Sequence, residues 1–402
     1  MAGEVTGIDH PTTIGAGTLV TLTAQVAPGK PGVAGVRWTY TEPGGVPQPL
    51  GTGGVVRYVP PTKLAGKTIK ITAKNKGTPA FAVDIPVADV AVALPAGRVK
   101  CDLAAGWSKN LLYHAVSIDG GDPFLVGRRL RYPHKDPETK KTTTYRGLGL
   151  NARDAQFVYR PADYPSYKNW AEVFACSTEV EGRGAFEAVN TYDQVNFTFG
   201  LIQFAAHTYG QNFHAYLRAA FKQFPTQAER YFPELRLHKN DTDFEGLDAP
   251  TGQWIRLTSA ADPRNLELRR FIKAVDDEVT ANEVKFAGRL MHWARAEPGM
   301  RLLMVDMAVE RARKNCREFA IELDGQGIAV CALVFDIRLQ GRGGKNASAR
   351  IKKALKSKTP FDSLLLIRNK QQKKRVDDVE AAIRKRFAGS TIKYDAGTGD
   401  LK

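Results

Sequence analysis

The residues of this chain best suited to chemistry lie between Ser177 and Phe204. Glu179 and Glu181 stand where an apolar helical pattern gives out, just before the break Gly182-Arg183-Gly184. Phe186, Val189 and Tyr192 then read as one arm of a β-hairpin with Asp193 at its turn. Asn196 to Phe199 form the returning arm, and Gly200-Leu201-Ile202-Gln203-Phe204 opens a further helix. A carboxylate at a helix end, facing a second on a hairpin, suits cleavage of a glycosidic bond. That reaction needs an acid to protonate the leaving oxygen and a base or nucleophile across the sugar.

Glu181 is the first choice for the acid. A carboxylate at a helix C-terminus is disfavoured by the helix dipole, and burial in a cleft adds to that, so both keep it protonated near neutral pH. Glu179 is the alternative; it lies about half a helical turn earlier, so only one of the two can face a cleft. Asp193 would activate water or stabilise developing positive charge, and Thr198 would orient that water. Tyr192 and Gln203 would line the sugar cleft, Gly200 would admit close backbone approach, and His207 could contact substrate. Plainer readings stand beside these: Glu181 as a solvated glutamate at a helix C-terminus, Glu179 in a surface salt bridge, Asp193 capping its own turn, Thr198 as an edge-strand residue, His207 as structural. Glu187 reads as solvated.

The same stretch resembles the active-site region of the lysozyme-like superfamily. Glu181-Gly182, Tyr192-Asp193 and Thr198-x-Gly200 are similar to the acid, hairpin aspartate and threonine-glycine signature of phage-type lysozymes. Ser177-Thr178-Glu179 and the run TFGLIQF resemble chitosanases, and Gly200-Leu201-Ile202-Gln203 resembles an element of lytic transglycosylases. The likeness spans about thirty residues and departs from the family in spacing, since the Gly182–Ala185 insertion leaves Glu179 and Glu181 both open as the acid.

The elements around this stretch divide the chain into three. Residues 1–92 alternate apolar and polar positions at Leu19–Val26, Val36–Tyr40, Val55–Val59 and Ile69–Ala73, with Gly/Pro turns between, which predicts a small immunoglobulin-like β-sandwich with Trp38 in its core. Residues 93–166 form a linker and mixed β region, with strands at Phe124–Tyr132 and Thr142–Tyr145 flanking the polar tip 135–141. Residues 167–402 form a mainly helical, lysozyme-like domain: helices at 167–180, 200–224, 264–274, 277–295, 299–322 and 326–339, with Leu302, Val305, Ala308, Val309 and Ala312 in a buried stripe. Basic helices close the chain, ending in the amphipathic run Val376–Phe387. The fold class is therefore α+β.

Fifty-eight Lys and Arg against 42 Asp and Glu give a net charge of +16, which favours an anionic partner: nucleic acid, an anionic membrane or an anionic polymer such as a cell wall. No nucleic-acid motif accompanies the charge, so nucleic acid is the weaker option. The cysteines at 101, 176, 316 and 331 form no CxxC pair and no zinc spacing; Cys176 and Cys331 read as buried thiols. No Ser-His-Asp arrangement, P-loop or HExxH is present, so no cofactor is expected. The start MAGEVTGIDHPTT lacks the basic and apolar regions of a signal peptide, and Ile328–Phe335 is too short to span a bilayer. The resemblance implies a muramidase cutting β-1,4 bonds of peptidoglycan. It further implies an antibacterial effector delivered to a target periplasm by a type VI or phage-related machine and countered by an immunity protein. A chitosanase-like hydrolase and a non-catalytic wall-binding module are the alternatives. A cationic chain would repel cationic chitosan, which favours peptidoglycan.

Overall fold

A computed structural model describes residues 3–16, 18–27, 35–58, 60, 64–88, 92–135, 142–150, 155–180, 184–367 and 373–402. The protein is α+β, with 36% helix and 27% strand, so neither type alone builds it. It divides into two compact units. The first holds 1–157, 187–198 and 205–298; the second holds 158–186, 199–204 and 299–402. The division does not follow the sequence boundaries at 92 and 166, because the segment from 158 to 204 passes repeatedly between the units.

In the first unit, eight strands make two sheets. β1 (Val5–Asp9), β3 (Val20–Val26) and β6 (Val55–Tyr58) form one. β2 (Ile14–Gly15), β4 (Arg37–Thr41), β5 (Gln48–Thr52), β7 (Thr68–Lys74) and β8 (Ala80–Ala88) form the other, in the order β2-β8-β7-β4-β5. Period-two alternation puts Leu22, Trp38, Ile69, Ile71 and Ile85 in one shared apolar cluster. The Trp38 indole N–H, which burial would otherwise strand, donates to the Gly53 carbonyl at 2.7 Å.

An antiparallel run follows in the same unit: β9 (Cys101–Leu103), β10 (Tyr113–Ile118), β11 (Phe124–Lys135), β12 (Thr142–Leu150) and β13 (Val189–Asn190). Helix α5 (Ala281–Ala296) packs against it, and Gly288 makes this possible, since a Cβ there would lie 2.5 Å from Val116. A capping box starts α5: Thr280 accepts from the Glu283 N–H while Glu283 accepts from the Thr280 N–H. Helices α2 (Asn212–Gln223), α3 (Pro225–Tyr231) and α4 (Leu266–Ile272) and the meander β16-β17-β18 (Leu235–Leu237, Phe244–Asp248, Gln253–Arg256) complete the unit. β14 (Thr198–Phe199) and β15 (Phe204–Ala205) lie where the chain passes between units.

The second unit is mostly helical: α1 (Asn169–Val180), α6 (Pro298–Arg317), α7 (Ala320–Leu323), α8 (Ile328–Leu339), α9 (Ala347–Leu355), α10 (Pro360–Leu365) and α11 (Lys373–Arg386), with the hairpin β19-β20 (Tyr394–Asp395, Asp400–Leu401). The apolar run Val330–Phe335 of α8 is buried, and α8 contacts α1, α9, α10 and α11. Cys176, Cys316 and Cys331 are buried free thiols.

Three sequence expectations are corrected. The helix expected from Gly200 begins only at Asn212, because Gly200 (φ +83°), Gln203 (φ +50°) and Gly210 (φ +69°) take left-handed conformations that no helix continues. The helix expected over 299–322 breaks after Arg317 and resumes at Ala320. Leu302 is 41% exposed; the buried stripe of α6 runs through Met300, Met304, Val305, Ala308, Val309 and Ala312.

Candidate functional site

The sequence-predicted residues divide between the units. Glu181 lies outside the described residues, as does the break at Gly182-Arg183. In the second unit, α1 closes with the Gly184 N–H donating to the Thr178 carbonyl at 2.9 Å, a capping contact reached by Gly184 at φ +75°. Glu179, on the last turn of α1, is half exposed and pairs with Arg386 of α11, which also holds Glu172. This is the surface salt bridge of the plainer reading. Gly200 also lies in this unit; a Cβ there would sit 2.8 Å from Met304 Sδ, so its bareness admits a neighbouring methionine. Gln203 is half buried and its N–H closes a turn onto the Gly200 carbonyl at 2.9 Å.

The first unit gathers Tyr192, Asp193, Thr198 and His207. Asp193 occupies the turn as expected: Oδ1 accepts from the Val195 N–H at 2.9 Å and Oδ2 from Asn190 Nδ2 at 3.0 Å. Partial burial nonetheless raises its pKa above the ordinary carboxylate value, against the pull of those two bonds and of nearby His207 and Lys273. The exposed His207 is shifted the opposite way, below the ordinary imidazole value, by desolvation and by Arg269; Asp193 opposes this. Thr198 is buried, and its hydroxyl donates to the Asn190 carbonyl at 3.4 Å. The Tyr192 ring packs over Gly149, where a Cβ would come within 3.2 Å of it.

The hairpin is held by residues that sequence periodicity did not single out. Arg269 donates to the Gln194 carbonyl at 2.7 Å and to Asn196 Oδ1 at 3.0 Å, and Asn196 Nδ2 donates to Asp276 at 2.7 Å. Beneath the turn, buried Lys273 donates to the Thr191 carbonyl at 2.6 Å and lies 3.5 Å from buried Glu283, which accepts from the Thr191 hydroxyl at 2.6 Å. Burial pushes Lys273 down and Glu283 up, and each charge opposes the other's shift. The chain signals them only as members of helices; their partners lie far away in sequence.

Glu187 corrects the sequence reading most sharply. It is fully buried, not solvated. Its Oε2 accepts from Arg295 Nε at 2.8 Å and Nη2 at 2.6 Å, and its Oε1 accepts from the N–H groups of Gln156 and Phe157 at 3.1 and 3.0 Å. Those bonds fill the carboxylate's acceptor sites, leaving it as an anchor for the segment entering the hairpin.

A groove of about 610 Å³ also opens in the first unit. Lys109, Arg129, Arg131 and Arg146 line it with Asn110, Asp277 and Glu278. Among the described residues no group of His, Cys, Asp and Glu is placed to hold a metal ion, and no helix is long and apolar enough to cross a membrane. Comparison of the chain with protein-family models, with curated proteins and with solved structures found no match.

Proposed function

We propose that the chain is a glycoside hydrolase of the lysozyme-like kind, a muramidase cutting the β-1,4 bonds of peptidoglycan glycan strands. What supports this reading is the Ser177–Phe204 signature in the sequence, together with the local structure on either side of it. A helix ends immediately before Glu181, and a hairpin turn follows with Asp193 raised in pKa beside His207. In this reading Glu181 protonates the leaving oxygen, while Asp193, tethered by Asn190 and Val195, stabilises charge or accepts a water proton. Tyr192 and His207, in the same unit as Asp193, would line the sugar path, and Thr198 supports the hairpin. The β1–β8 arrangement supports an immunoglobulin-like sandwich as an accessory domain: β1-β3-β6 faces β8-β7-β4-β5, with β2 parallel to β8. Delivery to a target periplasm and protection by an immunity protein belong to the same proposal.

A second reading, a wall-binding module without catalysis, is favoured by the engaged state of the carboxylates. Glu179 is paired with Arg386, Glu187 with Arg295, and both Asp193 oxygens accept within the hairpin. Release of reducing ends from purified peptidoglycan, read alongside wall binding, separates the two. The hydrolase reading expects both; the module reading expects binding alone. Product analysis on chitosan tests the remaining enzyme alternative.

A further inference from the structure

The groove in the first unit is built around an arrangement that costs stability. β11 and β12 pair in a register that sets Arg131 directly opposite Arg146. Arg146 turns both backbone groups away from β11, its N–H to the Asp276 carbonyl at 2.9 Å and its carbonyl to Lys273. The Arg131–Arg146 pair is therefore the non-hydrogen-bonded kind, in which opposed side chains approach most closely. Like charges there are destabilising. Arg129, two residues from Arg131, shares the same face.

The contacts of these guanidinium groups leave most of the positive charge uncompensated. Arg129 donates to the neutral amide oxygen of Asn110 at 3.1 Å, and Arg146 to the backbone carbonyl of Asp277 at 2.9 Å. Arg131 is exposed and has no ion-pair partner among the described residues. Only Lys109 is matched, by Glu278. The planar groups match the geometry of carboxylates and phosphates, which they grip two bonds at a time. Asp277, Glu278 and Asn110 share the lining. Carboxylates in the wall repel a dense polyphosphate and accept hydrogen bonds from hydroxyl and amide donors. The groove thus suits a ligand that carries spaced carboxylates among such donors, and its volume suits a ligand of a few sugar or amino-acid units.

We infer that the Arg129–Arg131–Arg146 groove is a binding site for the carboxylate groups of a glycopeptide wall polymer, distinct from the hairpin carboxylates. The identity of the polymer rests on the proposed wall-directed function. The groove holds the strand by its acidic substituents, and its occupancy relieves the repulsion between Arg131 and Arg146.

The test is co-sedimentation of the full chain with insoluble peptidoglycan at low salt and low temperature. Native material is compared with material whose carboxylates have been converted to amides. Half-saturation by the native polymer should rise at least about tenfold in Arg131→Gln/Arg146→Gln, equivalent to about 1.4 kcal/mol. The wild type should bind amidated polymer as weakly as that variant binds native polymer. Arg131→Lys/Arg146→Lys, which keeps charge and loses the fork, should fall between. The Gln variant should melt close to the wild type, since the repulsion it removes offsets the lost Arg146–Asp277 contact. Equal wild-type binding to native and amidated polymer would overturn the proposal. So would a variant that loses binding to duplex DNA but not to peptidoglycan. Binding through these arginines without release of reducing ends would sink the hydrolase reading and leave the groove standing. Release of reducing ends by a chain indifferent to amidation would do the reverse.

Discussion

Two arginine sites in the first unit treat the same side chain in opposite ways. Arg295 is buried against Glu187, and its guanidinium also lies 4.5 Å from the centre of the Phe124 ring. Arg131 and Arg146 stand exposed, opposite one another, on a groove wall. Around Arg295 the fold supplies a matching charge and hydrogen-bond partners, as a low-dielectric interior requires. In the groove it supplies neutral oxygens and a like charge. The first arrangement explains itself as architecture. The second makes physical sense once an anion from outside the chain is counted.

Breaking that contrast gives the largest expected effect. Arg295→Met should leave the Glu187 carboxylate buried without its cation and lower stability by about 3–5 kcal/mol in chemical denaturation. The double change Glu187→Leu/Arg295→Met should recover part of the loss, because no unpaired charge remains; recovery falls short of complete to the extent that the Gln156 and Phe157 N–H groups lose their acceptor. An undiminished stability in the single variant would mean that the pair is not the anchor described here. Arg386→Ala, which frees the half-exposed Glu179 and Glu172 from a partly buried arginine, should cost less, about 1 kcal/mol per pair, measured the same way. The smallest effect is one of slope. Asp193 has a folded pKa above its unfolded value, so the folded state takes its proton more readily than the unfolded state does. Relative to Asp193→Asn, the wild type should be most stable below the ordinary carboxylate range and should lose that advantage as pH rises through the raised pKa. Thermal melts of both proteins from about pH 3 to about pH 7 read the sign directly.

What was legible in the sequence was what local pattern controls. Alternation at Leu19–Val26 and Ile69–Ala73 predicted strands, found at Val20–Val26 and Thr68–Lys74, and the helix expected over 326–339 is found at Ile328–Leu339. The hairpin around Asp193 followed from its turn residues. Long-range partners were not legible. Glu187 looked solvated because its cation stands 108 residues further on. The helix expected from Gly200 failed on backbone conformations that Gly200, Gln203 and Gly210 adopt in this fold. The groove depends on the β11–β12 register, which places two arginines fifteen positions apart face to face. No periodicity in either strand announces that.

The proposed hydrolysis of wall glycan rests on Glu181, the residue that follows α1 in sequence. Its most direct measurement is the rate of reducing-end release from purified peptidoglycan by wild type, Glu181→Gln and Glu179→Gln, with folding checked by thermal melting. Loss of a general acid typically costs about 10²–10⁴-fold, so Glu181→Gln should fall by that order while Glu179→Gln, already committed to Arg386, stays within a few-fold of wild type. A folded Glu181→Gln protein with the wild-type rate would contradict the claim, whatever the groove binds.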